Sequence, residues 1–453
     1  MTGRHDARYY LPRFTRLEDR VAARATGKLR DYSRQSAGGA TPKAEEKEKY
    51  YSDDPETGIP FIRVQNLSVS GALSLDDVKL INRETHNGML ARSHVGPDDL
   101  LTKITGVGRM AVSSVPPPGF EGNINQHLVR IKTKDRHTSE VLAAYLNTDI
   151  AEQLATRRAT GGTRPALDYP ALRSIPIIFD ERILPIASAA RDRRKQRLEE
   201  AAALLASIDD YLLSELGIVL PPETENTLAN RTFRVSAHEL GGWRFDPYHH
   251  QTCFHKFDDA LQGGKHPLSS LRNAYRALVN GYDCRDFVED GLPYLKVAQV
   301  KPFNLKIEDA QAIPVSGVPA RGLALMGDLL LTRKGTYGDA ALNRSDTPFA
   351  FSSEVFRIRL NPSKLNGDYA EAVLNSVLVR TQFKRHSIGA IMGSLSQSIF
   401  GKIQIPLPPI DEQQRIAEYC QIIRGHAKVL EAKATAELET AKREIEAILL
   451  APP

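Results

Sequence analysis

Cysteine is scarce: Cys253, Cys284 and Cys420 are the only three in 453 residues, and no two form a CxxC pair. Three thiols cannot build a disulfide framework, so the sequence points to a reducing, cytoplasmic compartment. Long apolar runs are also missing. None approaches the roughly 20 residues of a membrane-spanning helix. Met1–Tyr10 lacks the apolar core of a secretory signal. Nor does one sign of charge dominate: 60 Lys plus Arg stand against 55 Asp plus Glu, a net +5. Such mild basicity is compatible with a nucleic-acid partner without requiring one, because clustering matters more than the sum. Hydrophobic residues at 41% and charged residues at 25% are ordinary for a globular chain. Length alone suggests about three domains at roughly 150 residues each.

Catalytic signatures are missing too. His238-Glu239-Leu240-Gly241-Gly242 opens like a zinc-protease HExxH, but Gly242 stands where the second histidine must be. His249, His250, Cys253 and His255 look like a metal cluster. Their counterparts in a repeat described below are Tyr9, Tyr10, Arg13 and Thr15, so aromatic packing accounts for both places and a metal for only one. Gly106-Val107-Gly108 and Gly335-Thr336-Tyr337-Gly338 match neither the P-loop nor the dinucleotide fingerprint; tight turns needing positive φ explain them. No NPPY tetrapeptide, methyl-donor glycine loop or PD-(D/E)xK nuclease pattern occurs. The chain itself is therefore not read as a methyltransferase, and no catalytic residue or metal site is assigned.

What the chain does contain is itself, twice. Gly58-Ile-Pro-Phe-Ile-Arg-Val64 resembles Gly291-Leu-Pro-Tyr-Leu-Lys-Val297. Asp99-Leu-Leu-Thr-Lys103 resembles Asp328–Arg333, Leu146-Asn147 matches Leu374-Asn375, and Ile175-Pro176 matches Ile405-Pro406. Asp6, Tyr10, Phe14 and Asp19 face Asp246, His250, Phe254 and Asp259. These offsets stay between 228 and 240 positions and keep their order. Two copies of one unit follow, near 1–217 and 235–453, with short loop insertions between matches. β-like runs are expected at Ile62–Leu67, Leu128–Ile131, Ile175–Phe179, Tyr294–Val300, Leu329–Thr332, Val355–Leu360 and Ile403–Ile405. A short helix is expected at Ser139–Arg158 and again at Asp368–Arg385.

Each copy closes on a long amphipathic helix. The first, Glu181–Leu216, carries Ile186, Leu205, Ile208 and Leu212 on its apolar stripe. The second, Asp411–Leu450, carries Ile416, Ile423, Leu430 and Leu438. Helices this long need a partner, and the simplest is each other, antiparallel. These eight residues are the expected helix-pair and partner interface. Ile218–Gly242, with Pro221-Pro222 and Gly241-Gly242, reads as a linker.

Basic loops recur in the two copies. Thr156–Arg164 and Lys384–Gln397 are each basic, then glycine-rich, then polar. Arg and Lys contact phosphates, and Arg, Gln, Ser and Thr also read base edges. One such loop is ordinary solvated surface; two in equivalent places suit two half-sites on one duplex. The expected DNA-binding residues are Lys103, Arg109, Arg157, Arg158 and Arg164 in the first copy. In the second they are Arg333, Lys334, Tyr337, Lys384, Arg385, Ser394 and Gln397.

Pro406-Leu-Pro-Pro-Ile-Asp-Glu-Gln-Gln-Arg-Ile416 resembles the start of the conserved-type helix in specificity (S) subunits of type I restriction–modification systems. Gly38–Gly71 and Gly327–Gly338 are similar to that family's target-recognition domain. The resemblance covers nearly the whole chain. Copy one keeps only the outline of the helix motif at Ile175–Arg182, and the segments Arg8–Val21 and Phe245–Leu261 are less typical, which leaves room for a variant system. The resemblance implies an α+β fold: two homologous α/β target-recognition domains separated by two long antiparallel coiled-coil helices. The domains would be 1–180 and 243–410, the helices 181–217 and 411–450, and the linker 218–242. It implies a non-catalytic subunit that recognises a bipartite DNA target in the nucleoid. Its partners would be double-stranded DNA, one or two methyltransferase (modification) subunits and, optionally, a restriction/translocase subunit. S-adenosylmethionine would sit on the methyltransferase, with no cofactor in this chain. A first helix of roughly 54 Å, at about 1.5 Å per residue, would match on the order of 16 base pairs of spacer. The alternatives are a DNA-modifying enzyme fragment or a phage-defence scaffold without sequence-specific recognition.

Overall fold

The computed structural model describes residues 7–162, 164–222, 225, 227–236, 245–386 and 394–451. It divides into two units, Met1–Glu199 with Leu430–Pro453, and Glu200–Val429. Neither unit coincides with one copy of the sequence repeat: each combines one copy's sheets with parts of both long helices.

In the first unit, β1 (Gln35–Gly38), β2 (Leu100–Lys103), β3 (Ser113–Ser114) and β4 (Leu128–Lys132) form an antiparallel sheet in the order β1-β4-β2-β3. Beside it, a five-stranded sheet contains a parallel pair, Ile59–Ile62 with Gly122–Ile124. In the second unit, β5 (Tyr275–Asn280), β6 (Leu329–Thr332), β7 (Ala340–Leu342) and β8 (Val355–Leu360) repeat that order as β5-β8-β6-β7. Its companion sheet has the matching parallel pair, Leu292–Leu295 with Phe349–Phe351. The repeat in sequence is thus a repeat in topology. Strands β2 and β6 are buried at every position, which is why they read as unbroken rather than alternating runs. Glycine follows or ends the first strand for a steric reason. A Cβ on Gly39 would lie 1.8 Å from the Ile124 carbonyl oxygen, and one on Gly281 2.0 Å from that of Phe351.

Some boundaries differ from the sequence reading. The run expected at Ile62–Leu67 is a strand over Ile59–Ile62 followed by a turn, because the Asn66 side chain accepts from the Arg63 N–H at 2.9 Å. Gln299 does the same for Lys296 at 3.1 Å. The helix expected at Ser139–Arg158 is two helices.

With α1 (Pro12–Ala22) ahead of the sheets, these are α2 (Arg136–Leu146) and α3 (Asp149–Arg158). Thr148 caps α3, while Asn147 leaves the helix to bond both backbone groups of Ser113, at 3.0 and 2.8 Å. The long helix α4 (Ile183–Glu215) follows. Copy two repeats this with α5 (Thr252–Gln262), α6 (Gly367–Asn375), α7 (Val377–His386) and the long α8 (Ile410–Leu450). Asn375 holds Ala340 at 3.0 and 2.8 Å, as Asn147 holds Ser113.

Within each unit the two long helices run antiparallel. In the first, Arg193 and Arg197 of α4 meet Glu437 of α8 at 2.7 and 2.8 Å, and Ile183 shares a core with Ile445 and Leu449. In the second, Ile208, Leu212 and Leu216 pack with Ile416, Ala417, Cys420 and Ile423, and the rings of Tyr211 and Tyr419 lie 4.2 Å apart. The helices also dock on the sheets' helical layer. Each begins on its own copy and ends on the other. Glu446 of α8 accepts the Asp149 and Ile150 N–H groups at the start of α3, at 2.5 and 3.2 Å. Asp209 of α4 accepts the Val377 N–H at the start of α7, at 2.9 Å. A carboxylate there meets both unsatisfied donors and the positive end of the helix dipole.

Candidate nucleic-acid interface

In each copy the glycine loop leaves the buried central strand and lies against the loop that follows the second short helix. In copy one, Gly106 and Gly108 take φ of 118° and 80°, the left-handed region expected of them. The Gly106 N–H donates to Pro165 at 3.1 Å, and Thr105 and Thr160 both bridge to Ala166. In copy two, Gly335 and Gly338 take φ of 69° and 95°. The Leu395 N–H donates to Arg333 at 2.9 Å, and Lys334 bridges to Ser394. The two loops read separately in sequence are therefore one surface in each copy. Residues 387–393 of the second loop and Thr163 of the first lie outside the described residues, as does His238–Gly242.

Several basic residues expected on this surface are engaged inside the fold instead. Lys103 is buried, and its ammonium donates to the Val107 carbonyl at 2.6 Å; desolvation pulls its pKa below the usual lysine range. Arg109 bonds Asp149 at 2.6 Å and the Asn147 carbonyl at 2.6 Å, holding the start of α3. Arg157 and Arg158 are buried against Glu18 of α1, Arg157 at 2.6 Å. Arg157 also donates to the Tyr9 carbonyl at 2.9 Å and lies 4.3 Å over the Tyr9 ring. Copy two builds the same clamp: Arg385 donates to Asp258 of α5 at 2.6 Å and to the His249 carbonyl at 3.0 Å. Arg333 bonds the Leu395 and Ser353 carbonyls at 3.3 and 3.2 Å.

The placements of Arg157, Arg158 and Arg385 share one cause. A guanidinium at the end of a short helix finds a carboxylate on the helix that precedes the sheets. The segments Arg8–Val21 and Phe245–Leu261, which looked like additions, supply that carboxylate. Glu18 and Asp258 were not singled out, although their separation equals that of Asp6 and Asp246. His249 and His250 likewise pack as aromatic rings, 4.9 Å apart. Among the described residues no group of three or more His, Cys, Asp or Glu side chains is placed to hold a metal.

Other expected residues stay at the surface. Arg164, Lys384 and Gln397 are exposed, and Lys334, Tyr337 and Ser394 are half-buried. Gln397 donates to Asn280, at the end of β5, at 2.9 Å. Of the expected helix-pair residues, Ile208, Leu212, Ile416 and Ile423 are in the second unit's core, with Leu205 half-buried against it. Ile186 is half-buried against the first unit's core, Leu438 lines a small cavity with Ala187, Ala190 and Ala441, and Leu430 is half-buried. No described helix is long and apolar enough to cross a membrane.

Residues 323–440 match the family model of the type I restriction modification DNA specificity domain. No curated protein matches the chain. Among solved structures, the chain is similar to one from a study of complex assembly and conformational transition in the type I R-M system. That likeness has 15% identity and a TM-score of 0.44, over 94% of this chain and 97% of that one. It is similar to the type I S subunit from M. genitalium at 12% identity and TM-score 0.37, over 94% and 95% of the chains. The HsdS subunit from Thermoanaerobacter tengcongensis gives 15% and 0.34, over 93% and 94%.

Proposed function

We propose that this chain is the non-catalytic DNA-specificity subunit of a type I restriction–modification system or a close variant. The specificity-domain match over residues 323–440 carries this reading. The recurrence of the same strand order in copy one extends it to the other half. In this reading each copy, 1–180 and 243–410, recognises one half of a split DNA target. The helices 181–217 and 411–450 form a coiled-coil spacer and, with the linker 218–242, complete the chain.

The loop pairs are the surface that meets DNA. Arg164 in copy one, and Lys334, Tyr337, Lys384, Ser394 and Gln397 in copy two, offer the chemistry: cations for phosphates, and amide and hydroxyl groups for base edges. Lys103, Arg109, Arg157, Arg158, Arg333 and Arg385 support these loops from within. Ile186, Leu205, Leu430 and Leu438, which the helix pair leaves half-buried, are positioned to extend the apolar seam towards a methyltransferase subunit. S-adenosylmethionine belongs to that partner, and one or two such subunits, with or without a restriction/translocase, complete an assembly acting on DNA in the cytoplasm.

The test is to express the chain with the methyltransferase encoded beside it and map modified bases across the host genome. A split motif with a fixed spacer is the expected result. Absence of modification, with partner and methyl donor present, would overturn the reading. Methyl transfer by the purified chain alone would overturn its non-catalytic role.

A further inference from the structure

The copies part at the start of their buried central strands. An aspartate precedes each strand, Asp99 before β2 and Asp328 before β6. Each accepts a backbone N–H three residues earlier, from Gly96 at 2.8 Å and from Leu325 at 3.0 Å. Ile131 faces Leu100 as Ile358 faces Leu329, so Lys132 of β4 is the counterpart of Arg359 of β8. In copy two the Arg359 guanidinium closes on Asp328 with two bonds, at 2.8 and 2.9 Å. Copy one has no such pair. Among the described residues the Asp99 side chain accepts only the Gly96 N–H, although it is 6% exposed. Burial pushes its carboxyl above the usual range. Asp99 opens instead into a groove of about 510 Å3. Four carboxylates there, Asp98, Asp99, Glu121 and Asp135, outnumber the lysines Lys132 and Lys134. In the repeat Asp98 corresponds to Gly327, and the strand register sets Glu121 against Pro348. The copy without the arginine is thus the copy that surrounds the place with anions.

We propose that this groove receives the guanidinium of an arginine side chain from a partner protein, in the place that Arg359 fills in copy two. A guanidinium meets a carboxylate with two parallel bonds, which an ammonium cannot do. Lys132 accordingly leaves Asp99 without an ion pair. Asp99 is already desolvated, so an entering cation meets a carboxylate whose burial cost the fold has absorbed. The outer carboxylates draw the cation in. None of the residues expected to bind DNA lines the groove, so the site is separate from the loop pair.

The test titrates the full chain with N-acetyl-arginine amide, which presents the side chain as it stands in a protein, and follows binding by saturation-transfer NMR. N-acetyl-lysine amide should bind about tenfold more weakly. Asp99→Asn keeps an acceptor for the Gly96 N–H but loses the charge, and should lower affinity about tenfold. Asp98→Asn, at an exposed position, keeps the test open if Asp99→Asn does not fold, and should weaken binding about threefold. Lys132→Arg supplies the guanidinium from within. It should abolish binding and raise the urea midpoint of unfolding, because it rebuilds the pair of copy two. Wild-type affinity in any of these variants overturns the groove. Equal binding of the two amides overturns the guanidinium assignment, and tighter binding of free arginine than of its amide overturns a protein source. No binding by the wild-type chain overturns the proposal and leaves the specificity reading intact.

Discussion

The two copies share a strand order and one arginine–carboxylate clamp, but not their other side-chain ion pairs. What recurs is bonding to the backbone. Asn147 and Asn375 each hold both groups of an edge strand, and Arg157 and Arg385 each reach a carbonyl ahead of the preceding helix. Tyr145 and Tyr369 stand one helical turn apart in the repeat, yet both hydroxyls donate to the matching prolines, Pro176 and Pro406, at 2.9 Å. What differs, outside the Arg157–Glu18 and Arg385–Asp258 clamps, is ion pairing between side chains. Glu371 is fully buried, where it accepts from Arg344 and Arg424 at 2.7 Å and from the Leu342 N–H at 2.8 Å. Its counterpart is Ala143, and the first unit is tied by Arg109, Asp149 and Lys442 instead. A duplicated fold keeps its backbone, so bonds aimed at the backbone keep their meaning. A pair of side chains can be replaced by another pair elsewhere.

The largest expected effect tests that difference directly. Glu371→Ala gives copy two the residue of copy one but leaves Arg424 desolvated without its carboxylate. We expect a loss of about 3–5 kcal/mol in urea unfolding. A loss below about 1 kcal/mol would mean that the ion cluster is as dispensable in copy two as its absence suggests in copy one.

Next come the shared backbone bonds. Asn147→Ala and Asn375→Ala should each cost about 2 kcal/mol, since each strands a buried N–H and a carbonyl. Unequal losses would break the equivalence of the copies. The arginine clamp separates fold from DNA contact. Arg157→Ala should cost about 2–4 kcal/mol, and Arg385→Ala less, because the Asp258 carboxylate is 39% exposed. DNA binding by variants kept below their unfolding temperature should match wild type. Weakened binding without lost stability would return these arginines to the interface.

The smallest effect is one of pH. Burial works against the Asp149 charge, but Arg109 and Lys442 outweigh it and hold its pKa below the usual carboxylate range. The charged form is thus favoured by folding, and its stabilisation is lost as pH falls through the folded pKa. Asp209 is the reverse: burial raises its pKa above the unfolded value despite the Val377 N–H. Its contribution is present at low pH and declines as pH rises through the folded value. Asp149→Asn and Asp209→Asn should therefore tilt the acid limb of the stability profile in opposite directions. Parallel shifts would show that the two carboxylates share one environment.

Much of this architecture was legible in the sequence. The repeat, the strands Leu329–Thr332 and Val355–Leu360, and both long helices stand close to where periodicity put them. The glycine loops needed the positive φ they have. The fate of the basic residues was not legible, because charge is visible in a sequence and its partner is not. Arg157 meets Glu18 across 139 positions, and recurrence in two copies is as well explained by a shared clamp as by shared DNA contact. The exchange of helix ends was hidden for a similar reason. An amphipathic stripe says that a helix has a partner but not which copy provides it.

That exchange bears on the order in which the chain is finished. Thr148 caps α3 locally, but the Asp149 N–H waits for its carboxylate acceptor, Glu446, 297 residues later. During synthesis the first sheets emerge early, yet the unit they belong to stays incomplete until the last helix leaves the ribosome. The second unit closes sooner, because Asp209 precedes the helix it caps and all its residues lie between 200 and 429. Contacts of such long sequence separation slow folding and expose apolar surface meanwhile. The half translated first is thus the half that matures last, and it is the one to protect when the protein is produced.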